Sequence, residues 1–154
     1  MNLEVEYGFF VVEIGELPSD KPREDYILSP SKHQRLILAE AGLVTVSTGW
    51  PNGQVQVDID FLEHNPGRPV LESGQEMQEI SIRPFGTDIV LTSPGSIETP
   101  DTVIGSSPSG FYRFRCIATG RERDNEDSVE KYRIEIWPTF GVEAEVLDNI
   151  RDMY

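Results

Sequence analysis

The sequence has little of the two residue types that most often serve as nucleophiles, bases and soft metal ligands: one cysteine and two histidines among 154 residues. A single cysteine cannot form an internal disulfide. Cys116 falls on the apolar side of an alternating segment, so we expect a small buried side chain and not a reactive thiol. Neither His33 nor His64 stands in a pattern that marks a nucleophile and its base. An enzyme of unknown type is therefore the least supported hypothesis.

Long apolar runs and basic residues are also scarce. No stretch approaches the ~18 apolar residues of a membrane span, and residues 1–6 carry neither a basic nor a long apolar leader. The chain has 13 Lys and Arg against 27 Asp and Glu, a formal net charge of −14. Such a surface should repel nucleic acid and anionic membranes and should favour solubility or a basic protein partner. We expect a bacterial-type cytoplasmic protein that binds neither nucleic acid nor membrane.

What the sequence does contain is a series of short segments in which apolar and polar residues alternate. The cleanest is residues 54–61, and residues 43–62 together predict a β-hairpin around an Asn-Gly turn. Residues 3–14 predict another strand, with Gly8 as a bulge or as a bend between sheets. Seven or so such strands without intervening helices predict one domain over residues 1–154. Its expected fold is an all-β, antiparallel β-sandwich of the jelly-roll or Greek-key type.

Two segments leave alternatives open. Residues 31–42 fit one or two helical turns ending at Gly42, or a strand from Gln34 to Ala39, and the β surroundings favour the strand. Residues 142–154 carry apolar side chains three to four apart, which fits a short C-terminal helix or a tail. The fold prediction therefore allows one short helix at most.

The strongest pattern is a hairpin that we place at the heart of a sheet, with arms at residues 111–119 and 130–138 and a charged turn between them. One side of each arm is apolar and must face the core. The other side carries Arg and Glu, which we expect to face solvent and to pair across the strands. These outward residues are Arg113, Arg115, Arg133 and Glu135.

The edges of this hairpin supply the candidate partner-binding residues. A charged loop on a rigid hairpin is suited to recognition, although such a run is more often a solvated turn. Trp137 falls out of phase with the apolar side, which predicts either a half-exposed contact anchor or packing under the C-terminal segment. The candidates are Arg121, Glu122, Arg123, Asp124 and Trp137.

A divalent metal site is the other candidate. Asp58 and Asp60 share one face of a predicted strand, and the following loop could fold Glu63 and His64 back beside them. The alternative is that the two aspartates belong to the solvated face of the strand. We expect no other cofactor.

Residues 110–116 followed by residues 130–138 resemble the ending of a set of uncharacterised bacterial β-sandwich proteins. More distantly they are similar to the small inhibitor of the competence-associated DNA-entry nuclease of bacilli. The resemblance implies a cytoplasmic protein that binds and silences a nuclease or toxin, and an acidic surface suits that role because nuclease active sites are basic. The leading hypothesis is thus a non-catalytic acidic interaction protein of the immunity or inhibitor type. A β-sandwich that binds a small ligand or divalent metal is the alternative.

Overall fold

The computed structural model describes residues 1–16, 36–94, 96–122 and 129–150, and in these ranges the chain forms strands and connections only. Since those ranges contain no helix, they contain none long and apolar enough to cross a membrane. The strands are β1 (Asn2–Val5), β2 (Phe9–Glu16), β3 (Ile37–Glu40), β4 (Leu43–Ser47), β5 (Gly53–Phe61), β6 (Gln75–Ile82), β7 (Phe85–Ser93), β8 (Ser96–Glu98), β9 (Tyr112–Thr119), β10 (Glu130–Pro138) and β11 (Val146–Asp148).

The strands form two sheets that pack face to face, which confirms the predicted β-sandwich. One sheet has six strands in the order β1-β5-β10-β9-β6-β11, and the other has five in the order β3-β4-β2-β7-β8. Neighbouring strands are antiparallel except for β5 and β10, which run parallel from the pairs Val55 with Glu130 to Phe61 with Ile136. The parallel pair matters below, because it brings the carboxyl ends of β5 and β10 to the same end of the sheet.

The core lies between the inner faces of the two sheets, where the predicted alternation places it. Val57 on β5, Phe114 on β9 and Ile134 on β10 are completely buried there. The rings of Phe10 from one sheet and Tyr132 from the other meet edge to face with centroids 5.3 Å apart.

The predicted hairpin over residues 43–62 is wrong, because β4 lies in the five-stranded sheet and β5 in the six-stranded sheet. The turn between β1 and β2 packs beside the connection between β4 and β5. Gly8 donates to the carbonyl of Pro51 at 2.9 Å and accepts from the amide of Thr48 at 2.9 Å. Residues 3–14 form two strands in different sheets, as the alternative of a bend between sheets predicted. The strands are joined at Tyr7 and Gly8, which have left-handed φ values of 63° and 79°.

The two ambiguous segments are resolved where the structure describes them. Ile37–Glu40 forms the edge strand β3, so the strand alternative is correct for that stretch. Val146–Asp148 forms strand β11, which pairs antiparallel with β6. This segment is therefore neither the short helix nor the tail that the apolar spacing predicted.

The outer face of the six-stranded sheet is covered in part, and the prediction that its charged residues all face solvent is wrong. Strand β5 stands second and β6 fifth in this sheet, so their connection passes across β10 and β9. Arg115 fixes that connection by donating from Nη2 to the carbonyl of Gly67 at 2.8 Å. The buried outward-facing side chains are Met77, Glu79, Arg113, Arg115, Ile117, Glu135 and Trp137.

Candidate functional site

The charged turn does not present its first arginine to a partner. Arg121 is only 2% exposed, and its Nη1 lies 2.9 Å from Oε1 of the buried Glu76. Gly49 packs so closely on the Arg121 backbone that a Cβ there would overlap the Arg121 carbonyl. This contact holds the start of the turn against the sandwich, so the Arg121 side chain is not at the surface, where the partner-binding prediction placed it. Glu122 is exposed, whereas Arg123 and Asp124 lie outside the described residues.

Trp137 is also buried, at 2% exposure, and not half-exposed. The guanidinium of Arg115 lies over its ring, 4.8 Å from the centroid. The same guanidinium is held by Glu79 at 2.6 Å and by Glu135 at 3.2 Å. Trp137 therefore belongs to the covered part of the outer face and is not an exposed contact residue.

The proposed metal ligands are not brought together. Asp58 and Asp60 are exposed on β5, as the solvated-face alternative has it, and Asp60 lies 3.9 Å from Nη2 of Arg133. The two aspartates line a polar pocket of about 400 Å³ with Asp101, in which His64 takes no part. Within the described ranges no group of three His, Cys, Asp or Glu is placed to hold a metal ion.

A larger groove lies where β5 and β10 end side by side, and it gathers residues that the sequence patterns did not connect. Its volume is about 650 Å³. Its walls come from the connection after β5, the segment before β9 and the turn after β10. We call it the Trp137 groove, lined by Glu63, His64, Asn65, Pro108, Ser109, Trp137, Pro138, Thr139, Phe140, Gly141, Val142 and Glu143.

The near end of the turn after β10 is fixed by hydroxyl groups. Ser109 Oγ donates to the carbonyl of Thr139 at 2.5 Å and accepts from the amide of Phe111 at 3.0 Å. Ser107 Oγ lies 3.3 Å from the same Thr139 carbonyl, and the Thr139 amide donates to the carbonyl of Phe111 at 3.1 Å. The Ser109 hydroxyl is thus committed to holding the wall.

The far end of the turn is fixed by Arg113 and Ser81, which lie on the outer face of the six-stranded sheet. Arg113 Nη1 donates to the carbonyl of Glu143 at 3.2 Å, and its Nη2 donates to the carbonyl of Ala144. Ser81 Oγ accepts from the Glu143 amide at 2.9 Å. Because both ends are held by several hydrogen bonds, the backbone between Thr139 and Glu143 is presented in a defined shape.

Between these fixed ends the apolar side chains are left in solvent. Phe140 is fully exposed and Val142 is 76% exposed, and no atom lies within 4 Å of a Cβ built on Gly141. An exposed phenylalanine on a clamped turn contributes nothing to the core, and exposed apolar groups beside a groove are typical of contact sites. The available sequence signal was an aromatic residue in a Pro-Thr-Phe-Gly turn, outside any strand pattern.

The rim of the groove is acidic. Glu63 and Glu143 are both exposed, and neither has an ion-pair partner among the described residues. The groove therefore combines an aromatic floor, an exposed aromatic side chain and two exposed carboxylates.

Comparison with known proteins finds no matching family model and no matching curated protein. Among solved structures, the fold is similar to one titled "Crocagin biosynthetic gene J", with a TM-score of 0.53 and 14% sequence identity. That match covers 90% of this chain and 94% of the other. At this level of identity the likeness concerns the fold alone.

Proposed function

We propose that this protein is a non-catalytic interaction protein that holds a basic protein partner at the Trp137 groove. The formal net charge of −14 favours a partner of opposite sign and speeds its encounter at low ionic strength. The groove adds a local site where an apolar contact and two carboxylates occur together.

The observation that carries the proposal is Phe140. Its ring is fully exposed, while the backbone on either side is held by Ser109 and Arg113. Because the backbone that carries the ring is already held, binding has to order only the Phe140 side chain, and aromatic side chains presented in this way are frequent hot spots of interfaces.

Selection of peptides from a random display library on the immobilised protein tests this proposal. We expect the selected peptides to combine basic and apolar residues and to elute when the salt concentration is raised. Phe140→Ser should abolish the selection. The matched control is Phe85→Ser, since Phe85 is also an exposed phenylalanine, at 61%, but lies on the five-stranded sheet.

Two results would contradict the proposal. One is selection of peptides without basic residues. The other is an equal loss in Phe140→Ser and Phe85→Ser, which would place the contact elsewhere or make it non-specific.

The narrower form of the proposal is an immunity or inhibitor protein directed at a nuclease or toxin. It is supported by the acidic surface, which suits the basic active site of such an enzyme. A nuclease or toxin that carries the selected motif should then lose its enzymatic or toxic activity when this protein is added. Addition of the Phe140→Ser variant should leave that activity unchanged. Full activity in a saturated complex would exclude inhibition while leaving binding intact.

The volume of the groove supports a second candidate function, the binding of a small apolar ligand. Its value of about 650 Å³ lies within the roughly 300–1,000 Å³ of ligand pockets. Titration with a neutral naphthyl compound should then shift the amide NMR signals of Thr139 to Glu143. Absence of shifts at millimolar concentration would rule this candidate out.

A further inference from the structure

We infer that the Trp137 groove takes an arginine side chain of the partner, with its guanidinium against the Phe140 ring and the carboxylates of Glu63 and Glu143. This inference rests on the proposed function and deepens it, because it names the chemical group that the groove recognises. It is carried by a comparison of the groove with an arginine site that the same sheet already contains.

The internal arginine site surrounds Arg115, which contacts the Trp137 ring at the floor of the groove. Its guanidinium lies 4.8 Å from the centroid of the Trp137 ring and is held by two carboxylates, Glu79 at 2.6 Å and Glu135 at 3.2 Å. A guanidinium is planar: its face stacks on an aromatic ring, and the N–H groups at its edge donate to carboxylates. The Arg115 site supplies partners for both.

A phenylalanine serves the same purpose nearby. Arg83 lies over the ring of Phe111, 5.1 Å from its centroid. Arg83 is exposed to solvent, so stacking of an arginine on a phenylalanine occurs in this protein outside the core as well.

The groove has the aromatic and acidic parts of such a site. Phe140 provides an exposed ring and Glu63 and Glu143 provide carboxylates, whereas no lysine or arginine is among the described residues that line the groove. Its volume of about 650 Å³ leaves room for a long side chain together with neighbouring apolar residues. Charge complementarity therefore identifies the occupant as a cationic segment of the partner.

Arginine fits this arrangement better than lysine. Its planar guanidinium stacks on an aromatic ring while its edge donates to carboxylates, whereas the ammonium of lysine is a compact, strongly hydrated charge. The groove should therefore rank arginine first, lysine second and a neutral residue last.

Binding of four capped pentapeptides, identical except at the central position, tests the inference. The central residue is arginine, lysine, leucine or citrulline, which has nearly the shape of arginine without its charge, and leucines flank it. The readout is the shift of the backbone amide signals of Thr139, Phe140, Gly141 and Glu143 in the full chain. We expect the arginine peptide to bind about tenfold more tightly than the citrulline peptide, the effect of one charge-assisted contact.

Variants separate the two parts of the site. Glu63→Gln with Glu143→Gln should bring the arginine peptide down to the affinity of the citrulline peptide. The matched control is Glu6→Gln with Glu98→Gln, which removes the same charge from two exposed glutamates outside the groove and should leave the preference unchanged. Phe140→Leu keeps an apolar contact but removes the ring, so the arginine peptide should lose affinity and the leucine peptide should not.

The outcomes distinguish this inference from the proposed function. Equal affinity for arginine and citrulline would overturn the inference and leave the groove as an apolar contact site for a basic partner. An equal effect of the two double glutamate variants would also overturn it, since the net charge and not the groove would then set the preference. Absence of amide shifts with every peptide would overturn it too, while the library selection with Phe140→Ser decides the proposed function separately.

Discussion

The six-stranded sheet buries side chains on both of its faces, mostly apolar ones on the inner face and several charged ones on the outer face. The inner face packs apolar residues such as Phe114 and Ile134 against the other sheet. The outer face buries an ionic layer in which Glu79 joins Arg113 at 3.3 Å and Arg115 at 2.6 Å. Period-two alternation assigned each of these residues to its side. The comparison teaches that alternation identifies the side of a strand and does not say whether that side meets solvent.

The difference comes from the connections and not from the strands. The link from β5 to β6 crosses the outer face and accepts a hydrogen bond from Arg115 at Gly67, and the segment after β10 accepts from Arg113 at Glu143 and Ala144. The guanidinium groups of Arg113 and Arg115 are buried, and buried N–H donors need acceptors. The carbonyls of the two connections supply these acceptors, and the contacts to Arg113 also fix the wall of the Trp137 groove.

Arg115→Ala tests the buried state of the outer face and carries the largest expected effect. It leaves Glu79 and Glu135 without their shared cation and frees the Gly67 carbonyl. Breaking a buried pair in this way costs ~3 to 5 kcal/mol in free energy of unfolding. Urea denaturation measures the loss.

Arg115→Lys is the matched control for that prediction. It keeps the charge but cannot stack on Trp137 and reach both glutamates and Gly67 at once, so its loss should be intermediate. A loss below ~1 kcal/mol for Arg115→Ala would mean that the outer face is solvated, because exposed pairs contribute no more than that.

Much of the fold could be predicted from local patterns. The bounds of β10, the phase of Tyr112 to Ala118 and the face of β5 all follow from alternation, because a strand with one apolar side has no other way to bury it. The partition of β4 and β5 between sheets could not be predicted. An Asn-Gly turn reverses the chain but does not state which sheet receives the next strand.

The candidate site was less predictable, for a physical reason. The Trp137 groove exists because β5 and β10 pair in parallel, and a pairing between distant strands leaves no local pattern in either. Arg121 was misplaced on similar grounds, since its ion pair with Glu76 joins residues 45 positions apart. Charge in a turn favours exposure on average, but a single distant carboxylate is enough to reverse it.

Cys116 probes the inner face and carries the second prediction. Burial raises its pKa from 9.0 to about 12, with a smaller raising effect of Glu76 and an opposing effect of Arg121, so the folded state keeps the proton that the unfolded chain loses. This contribution to stability is complete below pH 9 and is lost as the pH rises toward 12, at up to ~1.4 kcal/mol per pH unit. Cys116→Ala removes that dependence.

The stability difference between the parent protein and Cys116→Ala should therefore change with pH, in favour of the variant as the solution becomes more alkaline. Urea denaturation of both proteins at about pH 8, 9, 10 and 11 measures it, and groups common to the two proteins cancel in the difference. A difference that stays constant over this range would show that the thiol does not lie in the apolar inner face.

Arg133→Ala carries the smallest expected effect and bears most directly on the comparison. Arg133 lies on the same outer face as Arg115 and faces the same side of the sheet, but its side chain is 61% exposed. Its pairs with Asp60 at 3.9 Å and Glu135 at 3.6 Å are long. We expect a loss of ~0 to 1 kcal/mol, which salt should reduce further. If Arg133→Ala instead cost as much free energy of unfolding as Arg115→Ala, burial by the crossing connection would not determine how much an arginine on this face stabilises the protein. The position of each arginine in the sheet, which the alternating pattern makes equivalent, would then be the determinant.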